Sequence, residues 1–281
     1  TNSSQAAISK EAFAALMMIQ QLEQFSNPAP EKVDIWLLKT VDDFDVYKIV
    51  LEYPLAGKIN MLLKGPHNFL FNKSNQFHSI MIVSGFFTGE QSIHLIGNFP
   101  DKVLIGFEYP YSAADFQQDP ATILEFVQKT PIQMALATKW LSEQNWSQPK
   151  GISVMGVSLG GIFLPSSLHL SQRLGIEIEK AIYVCTGAEI PSILRENLKK
   201  HVSEPALSPL VEALTAPTLL IDPKLHFPFL KGESLIIQTD HDTVIPDSSK
   251  NALLNSLPNP KRHDKKSENF GVAVNGGIIK L

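Results

Sequence analysis

A serine flanked by glycines is the feature of this chain most able to do chemistry. Ser158 lies in the sequence Gly-Val-Ser-Leu-Gly-Gly at residues 156–161, which follows the apolar run 152–155 and precedes the apolar residues 162–164. The pattern predicts a buried strand that turns sharply into a helix, because a Cβ on either flanking glycine would collide with one of the two. Ser158 is therefore predicted to stand above a sheet as a nucleophile, and an incidental glycine-rich turn is the alternative.

A serine nucleophile needs an imidazole to remove its proton and a carboxylate to orient that imidazole. The carboxylate is expected after a strand that follows the serine in the chain. The apolar run 235–239 predicts such a strand, and Asp240 and Asp242 come directly after it. Either aspartate is a candidate acid, and the alternative is that both only cap the helix predicted to begin near Ser248.

Two patterns of strands are visible along the chain. Between Val33 and Lys64, two or three strand-like pieces predict an antiparallel lead-in. Farther along, apolar strands alternate with helical stretches such as 121–129 and 132–144. This alternation predicts an α/β fold, with a mostly parallel sheet and helices on both faces. The strands predicted in this second part are 80–83, 103–107, 152–155, 181–184 and 235–238.

The chain is predicted to form an N-terminal helix within residues 1–30, followed by one domain over residues 31–281. The helix is expected because apolar residues recur at helical spacing between positions 9 and 25. Inside the domain, the alternation of strands and helices fails at residues 187–232. We interpret this insertion as a small helical cap over the carboxyl ends of the strands, where open α/β sheets bind ligands. The alternative is a peripheral pair of helices, over 191–201 and 206–214, that touches no ligand.

These motifs make the chain resemble the α/β-hydrolase fold superfamily, in esterase or lipase style, over roughly residues 33–281. The resemblance is carried by the serine motif and by Asp-Thr-Val-Ile-Pro at residues 242–246. It implies a serine hydrolase that cleaves a carboxylic ester through an acyl-enzyme, with Ser158 as nucleophile. It also selects Asp242 as the acid, since the family places an aspartate two or three residues before a Val/Ile-Pro turn, and it keeps Asp240 in reserve.

The resemblance further implies that two backbone N–H groups stabilise the oxyanion of the acyl-transfer intermediate. One belongs to Leu159, the residue after the nucleophile. The other belongs to Phe86, in the loop 84–89 that follows the predicted strand 80–83. Ser84 stands where the family usually has histidine, and a simple glycine turn is the alternative interpretation of this loop.

The histidine is where the chain departs from the family pattern. The family's base lies on a loop after the last strand, where this chain has Asn269-Phe270 instead of the usual His-Phe pair. His263 is the candidate base, predicted to lie inside or just before the last strand. Asn269 cannot replace the histidine, because an amide neither takes nor gives a proton near neutral pH. Three possibilities follow: a shortened last strand that brings His263 into the site, a histidine from elsewhere in the chain, or the absence of a base. The histidines available from elsewhere are His94, His226 and His241.

Aromatic residues near the predicted strand ends give a weaker indication of the substrate. Phe87, Tyr109 and Phe227 are candidates for an apolar acyl pocket, although such residues are as often part of the core. A serine peptidase or thioesterase would use the same catalytic parts. A second hypothesis is a non-catalytic protein that binds a ligand or partner after losing its histidine, because Asn269 occupies the expected place.

Composition argues against several other classes of protein. The chain has 281 residues, 44% of them hydrophobic, and a net charge of −4, which predicts a globular protein. A pI near 6.1 without an extended basic patch argues against nucleic acid or an anionic membrane as the main partner. The sequence has no nucleotide-binding loop and no metal-ligand spacing, so no cofactor or metal is expected, and a small-molecule ester or acyl compound is the expected substrate. Cys185, the single cysteine, is interpreted as a small buried hydrophobic residue.

The sequence also gives evidence on the compartment in which the protein resides. No apolar run approaches the ~18 residues that span a bilayer, and no signal peptide is visible, so a soluble protein is expected. The chain begins with Thr1, so either a leader was removed or the N-terminus was trimmed. Cytoplasmic and exported locations both stay open, as do the oligomeric state and the acyl and alcohol groups of the substrate.

Overall fold

The computed structural model describes residues 28–119, 121–238, 242 and 244–257, together with the backbone of residues 261–264. The helix predicted over 9–25 therefore lies outside the described residues, as do Asp240, His241 and Asn269. Within the described ranges the chain forms one nine-stranded sheet. Its strands are β1 Lys32–Val41, β2 Phe44–Tyr53, β3 Gly57–Pro66, β4 Phe77–Val83, β5 Lys102–Phe107, β6 Ser147–Val157, β7 Lys180–Val184, β8 Glu233–Gln238 and β9 Lys261–Asp264.

The helices of the described residues follow the strands in the order that an α/β fold requires. They are α1 Ala113–Gln118, α2 Thr122–Ser142, α3 Leu159–Arg173, α4 Ile190–Leu198, α5 Leu207–Thr218, α6 Pro223–His226 and α7 Asp247–Ser256. Short 3-10 helices cover Phe69–Phe71, Gly89–His94, Leu219–Ile221 and Phe227–Phe229. Helices α2 and α3 precede and follow β6, whereas α4 to α6 all lie between β7 and β8.

The strands are arranged across the sheet in the order β1-β2-β3-β5-β4-β6-β7-β8-β9. Strands β1 to β3 pair antiparallel, and β3 also pairs antiparallel with β5. From β5 to β9 every neighbouring pair is parallel. The predicted α/β class, with a mostly parallel sheet and an antiparallel lead-in, is therefore confirmed.

Both faces of the parallel strands are buried, which explains why these strands are continuous apolar runs in the sequence. The face that carries Val83 belongs to a core shared with Phe126 of α2 and Phe163 of α3. The opposite face, which carries Ile82, packs against Ile93 in the 3-10 helix after β4. Because successive side chains of a strand point to opposite faces, each apolar strand contributes to both cores.

Helix α2 joins the helical stretches predicted over 121–129 and 132–144 into one continuous helix, so only the gap between them was wrong. Pro131 lies inside this helix. A proline in a helix interior removes one backbone hydrogen bond and costs about 3 kcal/mol. The helix continues nevertheless because most of its side chains from Phe126 to Leu141 are buried, and packing of this kind supplies most of the stability of a helix in a protein.

The segment between β7 and β8 is helical. Helices were predicted there over 191–201 and 206–214, and α4 and α5 occupy those places with somewhat shifted ends. Helix α5 contacts α2, and α6 contacts α3. The segment therefore packs against the two helices that cover one face of the sheet. Its role as a ligand-covering cap over residues 187–232 stays a prediction.

Two buried histidines join α6 to α3. The Nδ1 atoms of His169 in α3 and His226 in α6 lie 3.2 Å apart. Nε2 of His226 lies 2.7 Å from the carbonyl oxygen of Leu220, so it carries the proton of that hydrogen bond and His226 Nδ1 accepts one from His169. Burial lowers the pKa of His226 to about 4 and also lowers the pKa of His169. Both imidazoles are therefore neutral near pH 7.

We expect the folded protein to lose stability as the pH falls from about 6.5 towards about 4. An imidazole whose pKa is lower in the folded chain than in the unfolded chain binds a proton more readily after unfolding, so acid favours the unfolded state. Between pH 7 and pH 5, His226 alone should lower the free energy of unfolding by about 2 kcal/mol. Urea denaturation at the two pH values measures this change.

His226→Gln is the matched variant, because glutamine donates and accepts hydrogen bonds but does not titrate. Its free energy of unfolding should change less between pH 7 and pH 5 than that of the unaltered protein. An identical pH dependence in the two proteins would contradict the neutral, buried pair.

Candidate active site

Ser158 occupies the turn between β6 and α3. Its φ of 53° and ψ of −115° lie in a conformation that residues with a side chain seldom adopt. Strain of this kind persists only where the surrounding structure holds the residue in place. The side chain is half-buried at the carboxyl end of β6. The geometry is the strand, turn and helix context in which a serine nucleophile is presented to a substrate.

The glycines around this serine are required by close packing. A Cβ on Gly156 would collide with the backbone of Gly160 and Gly161. A Cβ on Gly160 would collide with the carbonyl oxygen of Val83 at the end of β4, and a Cβ on Gly161 with the side chain of Thr186 after β7. Without side chains at these positions, the turn approaches both strands that neighbour β6.

The loop after β4 lies beside the serine turn, because the end of β4 pairs in parallel register with the end of β6. Tyr109 fixes the start of this loop: it is buried, and its hydroxyl donates a 2.6 Å hydrogen bond to the carbonyl oxygen of Ser84. Phe86 fixes the middle of the loop, since its ring stacks on Phe116 with the ring centroids 5.4 Å apart. The backbone of the loop is therefore held at both points.

Phe86 and Leu159 are the residues whose backbone N–H groups were predicted to bind an oxyanion. Both residues are partly buried. In the part of the chain that the structure describes, neither N–H donates a hydrogen bond to another protein group. Two N–H groups at adjacent strand ends, both without a protein acceptor, are suited to receive the negative charge of an acyl-transfer intermediate.

Asp242 lies four residues beyond the end of β8, in the connection to α7. Its Oδ1 accepts hydrogen bonds from the N–H groups of Val244, at 2.8 Å, and Ile245, at 3.0 Å. Ile245 is buried, and a Cβ on Gly187 in the loop after β7 would collide with it. The turn that carries Asp242 is thus tied to the loop beside the serine turn. The reserve candidate, Asp240, lies outside the described residues.

His263 lies inside β9 and not on a loop after it. The parallel registers align Val157, Val184, Ile237 and His263 across four neighbouring strands. Three spacings of about 4.8 Å place the backbone at position 263 about 14 Å from that of Val157. A serine–histidine hydrogen bond requires the two side-chain atoms to lie within about 3 Å of each other. The backbone position of residue 263 therefore favours a different histidine as the base, and the choice of His263 stays a prediction.

The other histidines considered as substitutes differ in their surroundings. His226 is engaged with His169 and with a backbone carbonyl, as described above. His94 lies close to Lys39 and Lys64, and the strand of Lys64, β3, stands three strands away from β6. His241 lies outside the described residues. Among the side chains that the structure describes, no imidazole is hydrogen-bonded to the Ser158 hydroxyl.

The three residues proposed for an acyl pocket do not line a common surface. Phe87 is 92% exposed, at the tip of the loop after β4. Tyr109 and Phe227 are buried in the main hydrophobic core, where their rings contact protein side chains. The structure therefore gives Tyr109 and Phe227 core positions, because their surroundings are already filled.

Thr186 is a residue near the serine that the sequence analysis did not single out. Its hydroxyl donates a 2.8 Å hydrogen bond to the carbonyl oxygen of Ser158. It lies two residues after the end of β7. Polar residues just beyond the carboxyl ends of parallel strands face the region where such sheets bind ligands, so its position was a signal that could have drawn attention to it.

The described residues contain no cluster of three or more histidine, cysteine, aspartate or glutamate residues that could hold a metal ion. Within the same residues no helix is both long enough and apolar enough to cross a membrane.

No family model matches the chain, and no curated protein matches it in sequence. Solved structures do match. The chain is similar to an acetyl xylan esterase from Paenibacillus sp. R4, with a TM-score of 0.63 and 15% identity over 95% of this chain and 89% of that one. It is also similar to acetyl xylan esterase 1 from Thermoanaerobacterium sp. JW/SL YS485, with a TM-score of 0.61 and 15% identity over 88% and 86% of the two chains.

A hyperthermophilic esterase from the archaeon Pyrobaculum calidifontis is a third similar structure, with a TM-score of 0.51 and 11% identity over 94% of this chain and 83% of that one. Identities this low report a shared fold. Together with the strand order and the serine at the turn after β6, these similarities show that the chain has the α/β-hydrolase fold.

Proposed function

We propose that this protein is a serine hydrolase that cleaves a carboxylic ester through an acyl-enzyme formed on Ser158. The observation that carries the proposal is the strained backbone of Ser158 at the end of a central parallel strand. A strained residue in such a place is costly to maintain, and conformations of this kind cluster at active sites. A merely structural turn at this position could use a glycine without that cost.

In the proposed reaction, the Oγ of Ser158 attacks the ester carbonyl carbon while a base removes its proton. The N–H groups of Phe86 and Leu159 stabilise the charge that forms on the carbonyl oxygen. The base returns the proton to the leaving alcohol, and a water molecule then hydrolyses the acyl-enzyme by the same steps. The carboxylate of Asp242 orients the base. Its Oδ2 has no hydrogen-bond partner among the described residues, whereas Oδ1 accepts from two backbone N–H groups.

The proposed substrate is an ester with a short acyl group. Two of the similar structures are acetyl xylan esterases, proteins whose names specify an acetyl ester. Burial of Tyr109 and Phe227 also removes two residues from the apolar pocket that a long acyl chain would need. A peptidase or thioesterase activity would use the same nucleophile, so the ester preference is the finer part of the proposal.

For the base we propose His241 in place of His263. It directly precedes Asp242 in the chain, and the end of β8 stands two strands from β6. The backbone at position 263 is one strand farther from β6 and lies within a strand. The loops at the carboxyl edge of a parallel sheet are where catalytic groups from separate strands meet.

The first test is hydrolysis of a short-chain nitrophenyl ester, such as the acetate, by the unaltered protein and by Ser158→Ala. Loss of the nucleophile should lower kcat by a factor of at least about 1,000, because removing a triad serine costs several orders of magnitude. A fluorophosphonate probe should label the unaltered protein on Ser158 and leave Ser158→Ala unlabelled. Turnover that persists in Ser158→Ala would overturn the assignment of the nucleophile.

The second test compares His241→Ala with His263→Ala in the same assay. We expect His241→Ala to lose at least about 100-fold in kcat, since general base catalysis contributes at least that much, and His263→Ala to keep most of its activity. His94→Ala is the control, because its neighbours Lys39 and Lys64 belong to β1 and β3, which stand at least three strands away from β6. A loss confined to His263→Ala would restore the original choice of base.

A second candidate function is binding without catalysis. The specific observation that favours it is the position of His263 within β9, combined with Asn269 at the place where the fold family has its histidine. A protein of this kind would show neither ester turnover nor labelling by the fluorophosphonate, and Ser158→Ala would behave like the unaltered protein in both assays. These two results together would replace the hydrolase proposal with a ligand-binding one.

A further inference from the structure

We propose that Thr186 is a positioning residue for Ser158: its hydroxyl holds the strained backbone that presents the nucleophile. The inference rests on the proposed function, because it concerns the same serine. It adds a residue from a third segment of the chain, the loop after β7, to the machinery of the site. The contacts of Thr186 with the serine turn and with β8 carry the argument.

The backbone of Ser158 is held from two directions. Its N–H donates a 2.9 Å hydrogen bond to the carbonyl oxygen of Val184, the last residue of β7. Its carbonyl oxygen accepts a 2.8 Å hydrogen bond from the Thr186 hydroxyl and a 3.0 Å hydrogen bond from the N–H of Gly161. Two of these three bonds come from the end of β7. The peptide groups on both sides of the strained residue are therefore fixed by the same short stretch of chain.

The methyl and the hydroxyl of Thr186 have separate tasks. The side chain is buried, and its Cγ2 is the atom nearest to the point where a Cβ on Gly161 would stand. The methyl thus fills space against the first turn of α3, whereas the hydroxyl bonds to the carbonyl of Ser158. Valine keeps the shape and removes the hydroxyl, and serine does the reverse. The two tasks can therefore be separated by substitution.

Thr186 also links the serine turn to the strand that precedes Asp242. Its carbonyl oxygen accepts a 3.3 Å hydrogen bond from Nε2 of Gln238, the last residue of β8. The adjacent N–H of Cys185 donates a 2.9 Å hydrogen bond to the carbonyl of Ile237. The loop after β7 is thus bonded on one side to the nucleophile and on the other to the strand that leads to the acid. A shift of Thr186 would change the spacing between the two.

Loss of the hydroxyl should therefore act on the chemical step more than on substrate binding. Without it, the carbonyl of Ser158 keeps one hydrogen bond, and the backbone can relax away from its strained conformation. A misplacement of about 1 Å in a reacting group can lower a rate about 100-fold. The groups that contact substrate are unchanged, so KM should change little.

The experiment compares Thr186→Val and Thr186→Ser in the nitrophenyl acetate assay, with kcat and KM determined separately. We expect Thr186→Val to lose between about 10-fold and about 100-fold in kcat with KM within about twofold, and Thr186→Ser to retain most of its kcat. Thr138→Val is the matched control, because Thr138 is also buried and its hydroxyl donates a 2.8 Å hydrogen bond to a backbone carbonyl, that of Met134 inside α2. Its kcat should stay unchanged.

Circular dichroism and thermal unfolding identify any variant that fails to fold. A kcat for Thr186→Val equal to that of the unaltered protein, or an equal loss in Thr186→Ser, would overturn the proposal. So would an equal loss in Thr138→Val, since the effect would then be one of lost packing or stability in general.

A second measurement separates this inference from the proposed function. Hydrogen exchange of the Ser158 and Gly161 backbone N–H groups, measured by NMR, requires no turnover. Exchange should be at least about tenfold faster in Thr186→Val than in Thr186→Ser, because only the first variant loses the bond to the Ser158 carbonyl. If the unaltered protein hydrolyses no ester, the proposed function fails, and equal exchange in the two variants would still disprove the positioning role by itself.

Discussion

The backbone conformation of Ser158 is the constraint on which the rest of the proposed site depends. The φ of 53° and ψ of −115° at Ser158 together lie outside the regions that residues with a side chain adopt readily, so its neighbours must hold it there. Gly160 and Gly161 allow the turn to approach the ends of β4 and β7, and that approach is what confines the serine. It is possible only because parallel register aligns the ends of these strands on both sides of β6. The sheet therefore determines where the serine can stand, and the groups around it follow.

The parallel arrangement of the strands also explains why the proposed functional groups come from separate segments of the chain. Parallel strands end at one edge of the sheet, so the loops after β4, β6, β7 and β8 are neighbours although they are far apart in the chain. The loop after β4 supplies Phe86, the turn after β6 supplies Ser158 and Leu159, and the connection after β8 supplies Asp242. The loop after β7 is bonded both to the serine and to the end of β8 through Thr186. The loop after β7 therefore links the carboxyl ends of β6 and β8.

Most of the fold could be predicted from the sequence, because its signals are local. The strands of the parallel sheet are short apolar runs, and the glycines around Ser158 indicate the turn. The continuity of α2 could not be predicted, because Pro131 is a local signal for a break and the burial that outweighs it arises only in the folded chain. His263 was predicted inside or just before the last strand and lies within β9, but which histidine reaches Ser158 depends on the loops after the strands, whose conformation a sequence pattern does not give.

Tyr109 shows why the candidate site was harder to predict than the fold. An aromatic residue just after a strand suits either a ligand pocket or the core, since both are apolar. Whether Tyr109 lies in a pocket or in the core depends on what its hydroxyl binds, and a sequence pattern does not show that partner. A buried hydroxyl needs an acceptor, and the buried carbonyl of a loop residue needs a donor. In the folded chain Tyr109 and Ser84 satisfy each other. The hydrogen bond of Tyr109 to Ser84 also fixes the start of the loop that carries Phe86, so the buried tyrosine positions the backbone of that loop.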